Sequence, residues 1–175
     1  MITNVLEYLE ESALNYPDKT AFADVDSSCS FKQLCCRAKR IGTALTEYFE
    51  PGNPIPVFME KSVDTIGVFM GAVYAGCFYV MLDTRQPAAR LHQILDILDS
   101  QVIVSSSRYE KELEKLGFTG KILLTEDLEQ VPSDTFILGN IRSRAVDTDP
   151  LYGIFTSGST GVPKGVVVAH RSVID

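Results

Sequence analysis

The sequence predicts an α/β protein whose mostly parallel sheet is flanked by helices on both faces. Short apolar runs rich in Val, Ile and Phe alternate along the chain with longer segments of helical periodicity. This alternation is typical of β-α-β units, in which a helix joins two parallel strands. A segment without charged residues, Thr65–Leu82, also favours a sheet that is buried on both faces. Near residue 160, two apolar runs flank a loop of Gly, Ser and Thr, which indicates a strand–loop–strand hairpin.

The first sixty residues contain two predicted helices and two predicted strands. The first helix carries an apolar face and ends before Pro17. The second begins at Ser30, where Gln33 lies three residues further on and completes a capping box. The strands are Thr20–Val25 and Ile55–Met59, the second of which follows a turn cluster of Pro, Gly and Asn.

The rest of the chain repeats the strand-helix pattern. A buried helix is predicted at Val63–Tyr74, and two more helices begin near Pro87 and at a Ser107–Glu110 capping box, the latter ending at Gly117. Residues 132–150 are mostly polar and rich in turn formers, so we expect a loop there. The predicted strands are Phe78–Leu82, Val102–Val104, Ile122–Leu124, Tyr152–Thr156 and Val166–Ala169.

Composition and charge exclude several classes of partner. The chain has 45% hydrophobic and 22% charged residues, as soluble globular proteins do. Its net charge of −7 argues against nucleic acid as the main partner, because phosphate backbones bind basic faces. The N-terminus lacks the apolar segment of a signal peptide, and the four cysteines lack metal-ligand spacing. We therefore expect a cytoplasmic protein with reduced thiols and no cysteine metal site.

The charge-free segment Thr65–Leu82 approaches the length of a membrane span. Three glycines interrupt it, an Asp lies at each end, and no basic cluster flanks it to set an orientation. A buried helix followed by a buried strand explains it better, so we expect no membrane partner and an interior position in the fold.

The residues that carry chemistry lie in the loop between the last two predicted strands. Glycine lets backbone N–H groups approach an anion, hydroxyl groups donate to phosphate oxygens, and lysine adds a mobile positive charge. The sequence from residue 151 to residue 174 contains no acidic residue, so this segment is locally positive. Phosphate binding is one interpretation, and a flexible surface hairpin is the other. The residues concerned are Thr156, Ser157, Gly158, Ser159, Thr160, Gly161 and Lys164.

The spacing in this loop differs from that of a Walker A loop. In the Walker pattern, Ser or Thr follows the lysine and a helix begins there. Here Gly165 follows Lys164, and a run of three valines comes next. Because β-branched residues favour strands, a strand is expected after the loop.

The order of residues from Leu151 to Gly165 resembles the phosphate-loop motif of adenylate-forming enzymes. The resemblance is greatest to the amino-acid adenylation domains of nonribosomal peptide synthetases and to D-alanine–carrier-protein ligases. Within the other matching segments, Gln33 replaces an acid, Tyr74 a lysine and Met81 a proline. By this resemblance, residues 1–175 form an incomplete N-terminal portion of an AMP-binding domain. The other matching segments, in the family's order, are Ser30–Leu34, Tyr74–Asp83, Gln86–Leu91 and His170–Arg171.

The resemblance implies an ATP-dependent ligase that activates a carboxylic acid, with an amino acid as the first choice. The carboxylate attacks the α-phosphate of ATP, pyrophosphate leaves, and the acyl group then passes to a thiol such as the phosphopantetheine of a carrier protein. Lys164 is the implied catalytic residue, because it would neutralise charge on the departing pyrophosphate. The implied holders of the β- and γ-phosphates are Thr156, Ser157, Ser159 and Thr160 with the amides of Gly158 and Gly161.

The resemblance also implies that much of the active site lies outside residues 1–175. The acid pocket, the adenine and ribose contacts and the main protein ligand of the Mg²⁺ carried with ATP would belong to a missing C-terminal part of the same polypeptide. Residues 1–175 alone should then be inactive, and an uncovered sheet edge should favour self-association. The alternatives are a stand-alone, non-catalytic phosphate- or nucleotide-binding module and a membrane or scaffold protein.

Three further residues have competing interpretations. Asp83 follows a predicted strand and is better explained as a turn residue than as a catalytic acid. His170 follows the hairpin and is interpreted equally well as a substrate contact or a structural contact. Arg90, on its predicted helix, is expected to be solvated or ion-paired.

Overall fold

The computed structural model describes residues 2–157 and 162–174. Within these residues, a short 3₁₀ turn at Ser107–Tyr109 precedes the fifth helix. The strands are β1 (Thr20–Ala23), β2 (Ser28–Ser30), β3 (Pro54–Phe58), β4 (Phe78–Leu82), β5 (Val102–Ser105), β6 (Lys121–Leu124), β7 (Pro150–Ser157) and β8 (Pro163–Ala169). The helices are α1 (Val5–Asn15), α2 (Phe31–Leu45), α3 (Val63–Tyr74), α4 (Ala88–Leu98), α5 (Glu110–Leu116), α6 (Thr125–Leu128), α7 (Thr135–Arg142) and α8 (Arg171–Ile174).

The main sheet has six strands in the order β6-β5-β3-β4-β7-β8. Every neighbouring pair is parallel except β7 and β8, which form an antiparallel hairpin. The predicted fold class is thereby confirmed, as is a strand rather than a helix after the loop. A separate antiparallel pair, β1 and β2, packs beside α2. Strand β1 ends at Ala23, two residues before the predicted end at Val25, and β2 was not predicted from the sequence.

Helices cover both faces of the main sheet. Along the sheet, the chain moves from β3 towards the β8 edge to reach β4, and then back towards the β6 edge to reach β5. Because both crossovers are right-handed, α3 and α4 lie on opposite faces. On the α3 side, α1, α2 and α7 contribute apolar side chains to one buried cluster. The larger cluster joins the strands to α4 and α5 through Leu91, Ile94 and Leu113, each no more than 3% exposed.

The charge-free segment Thr65–Leu82 is interior, as predicted. It forms most of α3, the following turn and β4, and none of its side chains is exposed. Among the described residues, no helix has the length and apolar character that crossing a membrane requires.

Tyr74 shows how the fold accommodates a departure from the family pattern. Its hydroxyl donates to Glu10 Oε1 over 2.9 Å and lies 3.5 Å from Cys35 Sγ. Burial raises the pKa of Tyr74 well above its usual range, so the phenol keeps its proton. The tyrosine therefore contacts the carboxylate of α1 as a neutral hydrogen-bond donor.

Two local predictions were wrong. Ser107 does not form a capping box with Glu110, because its N–H and hydroxyl both donate to Glu126 Oε1, at 3.1 Å and 2.7 Å. Residues 132–150 are not a continuous loop, since they contain α7, whose N-cap Asp134 accepts from two backbone N–H groups. Half of the residues in α7 are apolar, although the surrounding segment is mostly polar, and the packing of Leu138 into the core stabilises the helix.

Candidate functional site

Strand β7 ends, and strand β8 begins, at the carboxyl edge of the parallel sheet. Strands β3 to β7 all run in the same direction, so their carboxyl ends meet at one edge. Strand β7 ends there at Ser157, and β8 starts back from Pro163. In open α/β sheets, ligands bind outside the carboxyl ends of the strands. The topology therefore puts the two strand ends that flank the predicted phosphate loop at the edge where a ligand site is expected.

Thr156 and Lys164 face each other across the hairpin. They are register partners, and Thr156 Oγ1 donates to the Lys164 carbonyl over 3.5 Å. Directly opposed residues project from the same face of a sheet, and both of these are exposed. No carboxylate among the described residues lies within 4 Å of the Lys164 ammonium group. The pair thus places one hydroxyl and one cation on the same face, and the hydroxyl can rotate out of its long 3.5 Å bond to donate to an anion.

Of the other predicted phosphate contacts, Ser157 lies in the described part of the hairpin. Ser157 ends β7 and is paired in register with Pro163. Gly158, Ser159, Thr160 and Gly161 lie outside the described residues, so their predicted roles stay predictions. The bounds of β8 correct one expectation, because Lys164 and Gly165 belong to the strand rather than to the loop. Pairing with β7 overrides the weak strand preference of Lys and Gly.

Gly165 allows the ring of Phe155 to cross the hairpin. A Cβ atom at Gly165 would lie 3.3 Å from two ring carbons of Phe155, closer than most such contacts allow. The ring in turn packs against the main hydrophobic cluster. This contact attaches the loop-proximal end of the hairpin to the core.

Arg90 is not simply solvated, and within the described residues it has no ion-pair partner, contrary to the expectation from sequence. Its guanidinium Nη2 donates to the backbone carbonyl of Phe155 over 3.1 Å. Sequence reasoning missed this contact, although Arg90 lies in one of the motifs that resemble the family. The arginine itself was visible in the motif. Its partner is a backbone carbonyl, which no pattern of side chains reveals.

Asp83 and Arg85 form an ion pair, so their charges sum to zero. Asp83 accepts from the backbone N–H of Arg85 and from its guanidinium, and these bonds lower the pKa of Asp83 to about 2. With Glu60, Lys61 and Met81, they line an open cavity of about 300 Å³. Its two acidic and two basic side chains offset each other, so this cavity has no net attraction for phosphate. The interpretation of Asp83 as a turn residue is confirmed.

His170 makes a structural contact at the other end of the hairpin. It is 2% exposed, and its Nδ1 accepts from the backbone N–H of Val5 over 3.3 Å. Burial lowers the pKa of His170, which favours the neutral ring that this acceptor role requires. Ala169 pairs with Pro150, six residues of strand before Thr156, so the imidazole is roughly 20 Å from the loop. The substrate-contact interpretation of His170 has no support in this geometry.

Comparison with known proteins identifies the family of the chain. The family described as AMP-binding enzyme matches residues 9–175. A mycosubtilin synthase polypeptide from Bacillus subtilis is 34% identical over 170 residues, which cover 97% of this chain and 6% of that protein. Nonribosomal peptide synthetase 9 from Aspergillus fumigatus is 33% identical over 172 residues, covering 96% of this chain and 14% of its own length. The chain thus spans only a small part of these curated relatives.

Solved structures show the same fold. The nonribosomal peptide synthetase FmoA3, with bound alpha-methyl-L-serine-AMP, superposes with a TM-score of 0.81 at 28% identity, covering 97% of this chain and 18% of that one. The inhibitor-bound N-terminal domain of FACL13 from Mycobacterium tuberculosis gives a TM-score of 0.80 at 26% identity, covering 98% of this chain and 46% of that one. From the match of its sequence to this family over residues 9–175 and from its fold, this chain belongs to the AMP-binding enzyme family.

Proposed function

We propose that this chain supplies the phosphate-binding half of an ATP-dependent ligase that converts a carboxylic acid into an acyl-adenylate and pyrophosphate. The observation that carries the proposal is the placement of Thr156 and Lys164 on one face of a hairpin at the carboxyl edge of the sheet. Family membership supports the reaction class. Because the relatives are much longer than this chain, the proposed activity belongs to a longer polypeptide.

In the proposed site, the hairpin holds the β- and γ-phosphates of ATP. Thr156 and Ser157 donate hydroxyl hydrogen bonds, and the loop residues Gly158–Gly161 add their amides and hydroxyls. Lys164 stabilises the charge that develops on pyrophosphate as it leaves, which lowers the barrier of the forward step. Among the described residues, no group of three His, Cys, Asp or Glu side chains is placed to hold a metal ion. We propose, as the family resemblance implies, that Mg²⁺ enters with ATP and has its main protein ligand elsewhere in the polypeptide.

We further propose an amino acid as the activated acid and a carrier-protein phosphopantetheine thiol as the acceptor. The identity to peptide synthetases supports both assignments. A cytoplasmic location fits the consumption of ATP and the four free cysteines. The second candidate function is a non-catalytic nucleotide-binding module, which the placement of Thr156 and Lys164 would also support.

The test is acid-dependent exchange of labelled pyrophosphate into ATP. The full-length polypeptide should exchange with one or a few members of a panel of amino acids, with aryl acids and fatty acids as comparison substrates. Residues 1–175 alone should give no exchange, because they bind phosphates but do not place a carboxylate against the α-phosphate. Nucleotide binding by the full-length polypeptide without exchange for any acid would favour the non-catalytic module instead.

A further inference from the structure

The pairing of β7 with its parallel neighbour β4 stops well before β7 ends. The ladder between β4 and β7 contains only the register pairs Tyr79–Tyr152 and Val80–Gly153. The ladder between β7 and β8 continues to Ser157. Among the described residues, the last residues of β7, which lead into the phosphate loop, therefore have a paired strand on one side only.

Arg90 occupies the unpaired side of this extension. In an antiparallel pair, the carbonyl groups of alternate residues point away from the partner strand. Phe155 has such a carbonyl, and it accepts from Arg90 Nη2 over 3.1 Å. The guanidinium thus supplies a donor that β4 does not provide at this position.

The helix that carries Arg90 is fixed in the core. Arg90 lies in the first turn of α4, and its backbone N–H donates to the Pro87 carbonyl over 2.9 Å. The next residue, Leu91, is 3% exposed, and Ile94 one turn later is 2% exposed. A donor mounted on such a helix holds its acceptor in place more precisely than a donor on a loop does.

The bonded carbonyl also determines the direction of the next N–H group. The Phe155 carbonyl and the Thr156 N–H belong to one planar trans peptide, so fixing one fixes the other. We propose that Arg90 is a positioning residue for the phosphate loop: its bond to Phe155 sets the peptide plane from which Thr156 and Ser157 continue. This inference rests on the proposed function of the hairpin, and Arg90 itself does not contact ATP.

Two substitutions separate the hydrogen bond from the rest of the side chain. Arg90→Met keeps an apolar stem of similar length but removes every donor, whereas Arg90→Lys keeps a charged donor. In residues 1–175, Arg90→Met should accelerate amide hydrogen exchange at Thr156 about tenfold and leave Val57 in β3 unchanged, because only the end of the hairpin loses a bond. Arg90→Lys should restore most of the protection. The control Arg40→Met, at an exposed arginine of α2, should change neither amide.

In the full-length polypeptide, Arg90→Met should raise the KM for MgATP in pyrophosphate exchange about tenfold and leave the KM for the acid unchanged. Equal loss of protection at Thr156 and Val57 would indicate a general structural role and overturn the proposal. So would unchanged exchange at Thr156, or an unchanged KM for MgATP in an active enzyme. If the wild-type polypeptide lacks exchange activity, the proposed function fails, and the amide measurements still decide whether Arg90 positions the hairpin.

Discussion

Replacing Lys164 with alanine should lower acid-dependent pyrophosphate exchange by the full-length polypeptide about 100- to 1,000-fold. The ammonium group lies on an exposed strand face, with no carboxylate among the described residues within 4 Å, so its charge is available to phosphate. Removing it deletes a charge interaction that strengthens as pyrophosphate leaves. Because the side chain is exposed, thermal unfolding should change little.

Lys111→Ala is the matched control for this prediction. Lys111 is also exposed, but it lies on α5. This helix connects β5 to β6, at the opposite end of the sheet from the hairpin. Its replacement should leave the exchange rate unchanged. An active Lys164→Ala enzyme with a wild-type rate would show that Lys164 does not stabilise the leaving group.

Replacing Gly42 with alanine should lower the free energy of unfolding by about 1–3 kcal/mol. A Cβ atom there would lie 2.6 Å from Tyr74 Cβ and 3.0 Å from the Gly71 carbonyl oxygen. Both atoms are close to the backbone of α3, so relief of the clash requires α2 and α3 to move apart. This cost exceeds the gain of up to ~1 kcal/mol that alanine gives inside a helix.

Gly139→Ala provides the control with the opposite sign. Gly139 lies inside α7, and a Cβ atom there meets no other atom within 4 Å. The same substitution should therefore stabilise the chain by about 0.5–1 kcal/mol, because only the helix propensity changes. Urea unfolding of both variants measures the two effects. A stabilised Gly42→Ala variant would contradict the close packing of α2 against α3.

The fold was largely predictable from the sequence, because its strongest signals are local. The charge-free segment at Thr65–Leu82 and the Ser30–Gln33 capping box both predicted the observed elements. The errors occur where distant residues decide the structure. Ser107 bonds to Glu126 rather than to its neighbour Glu110, and α7 is stabilised by burial of Leu138 against the first helices.

The residue types of the candidate site were predictable from the sequence, but the contact that holds the end of β7 was not. The hydroxyls, glycines and lysine of the loop follow from the motif, and the opposition of Thr156 and Lys164 requires only the hairpin register. The bond from Arg90 to the Phe155 carbonyl joins residues 65 positions apart. A backbone acceptor has no sequence signature, so only the structure shows this contact.

The position of the bound phosphates is the most direct test of the central claim. Amide chemical shifts of ¹⁵N-labelled residues 1–175 should be followed during titration with pyrophosphate and with MgATP, at an affinity of about 1 mM or weaker. We expect shifts that concentrate at residues 156–165 and are absent at His170, at the other end of the hairpin. Saturating shifts confined to the cavity lined by Glu60, Lys61, Asp83 and Arg85, with an unperturbed hairpin, would contradict it.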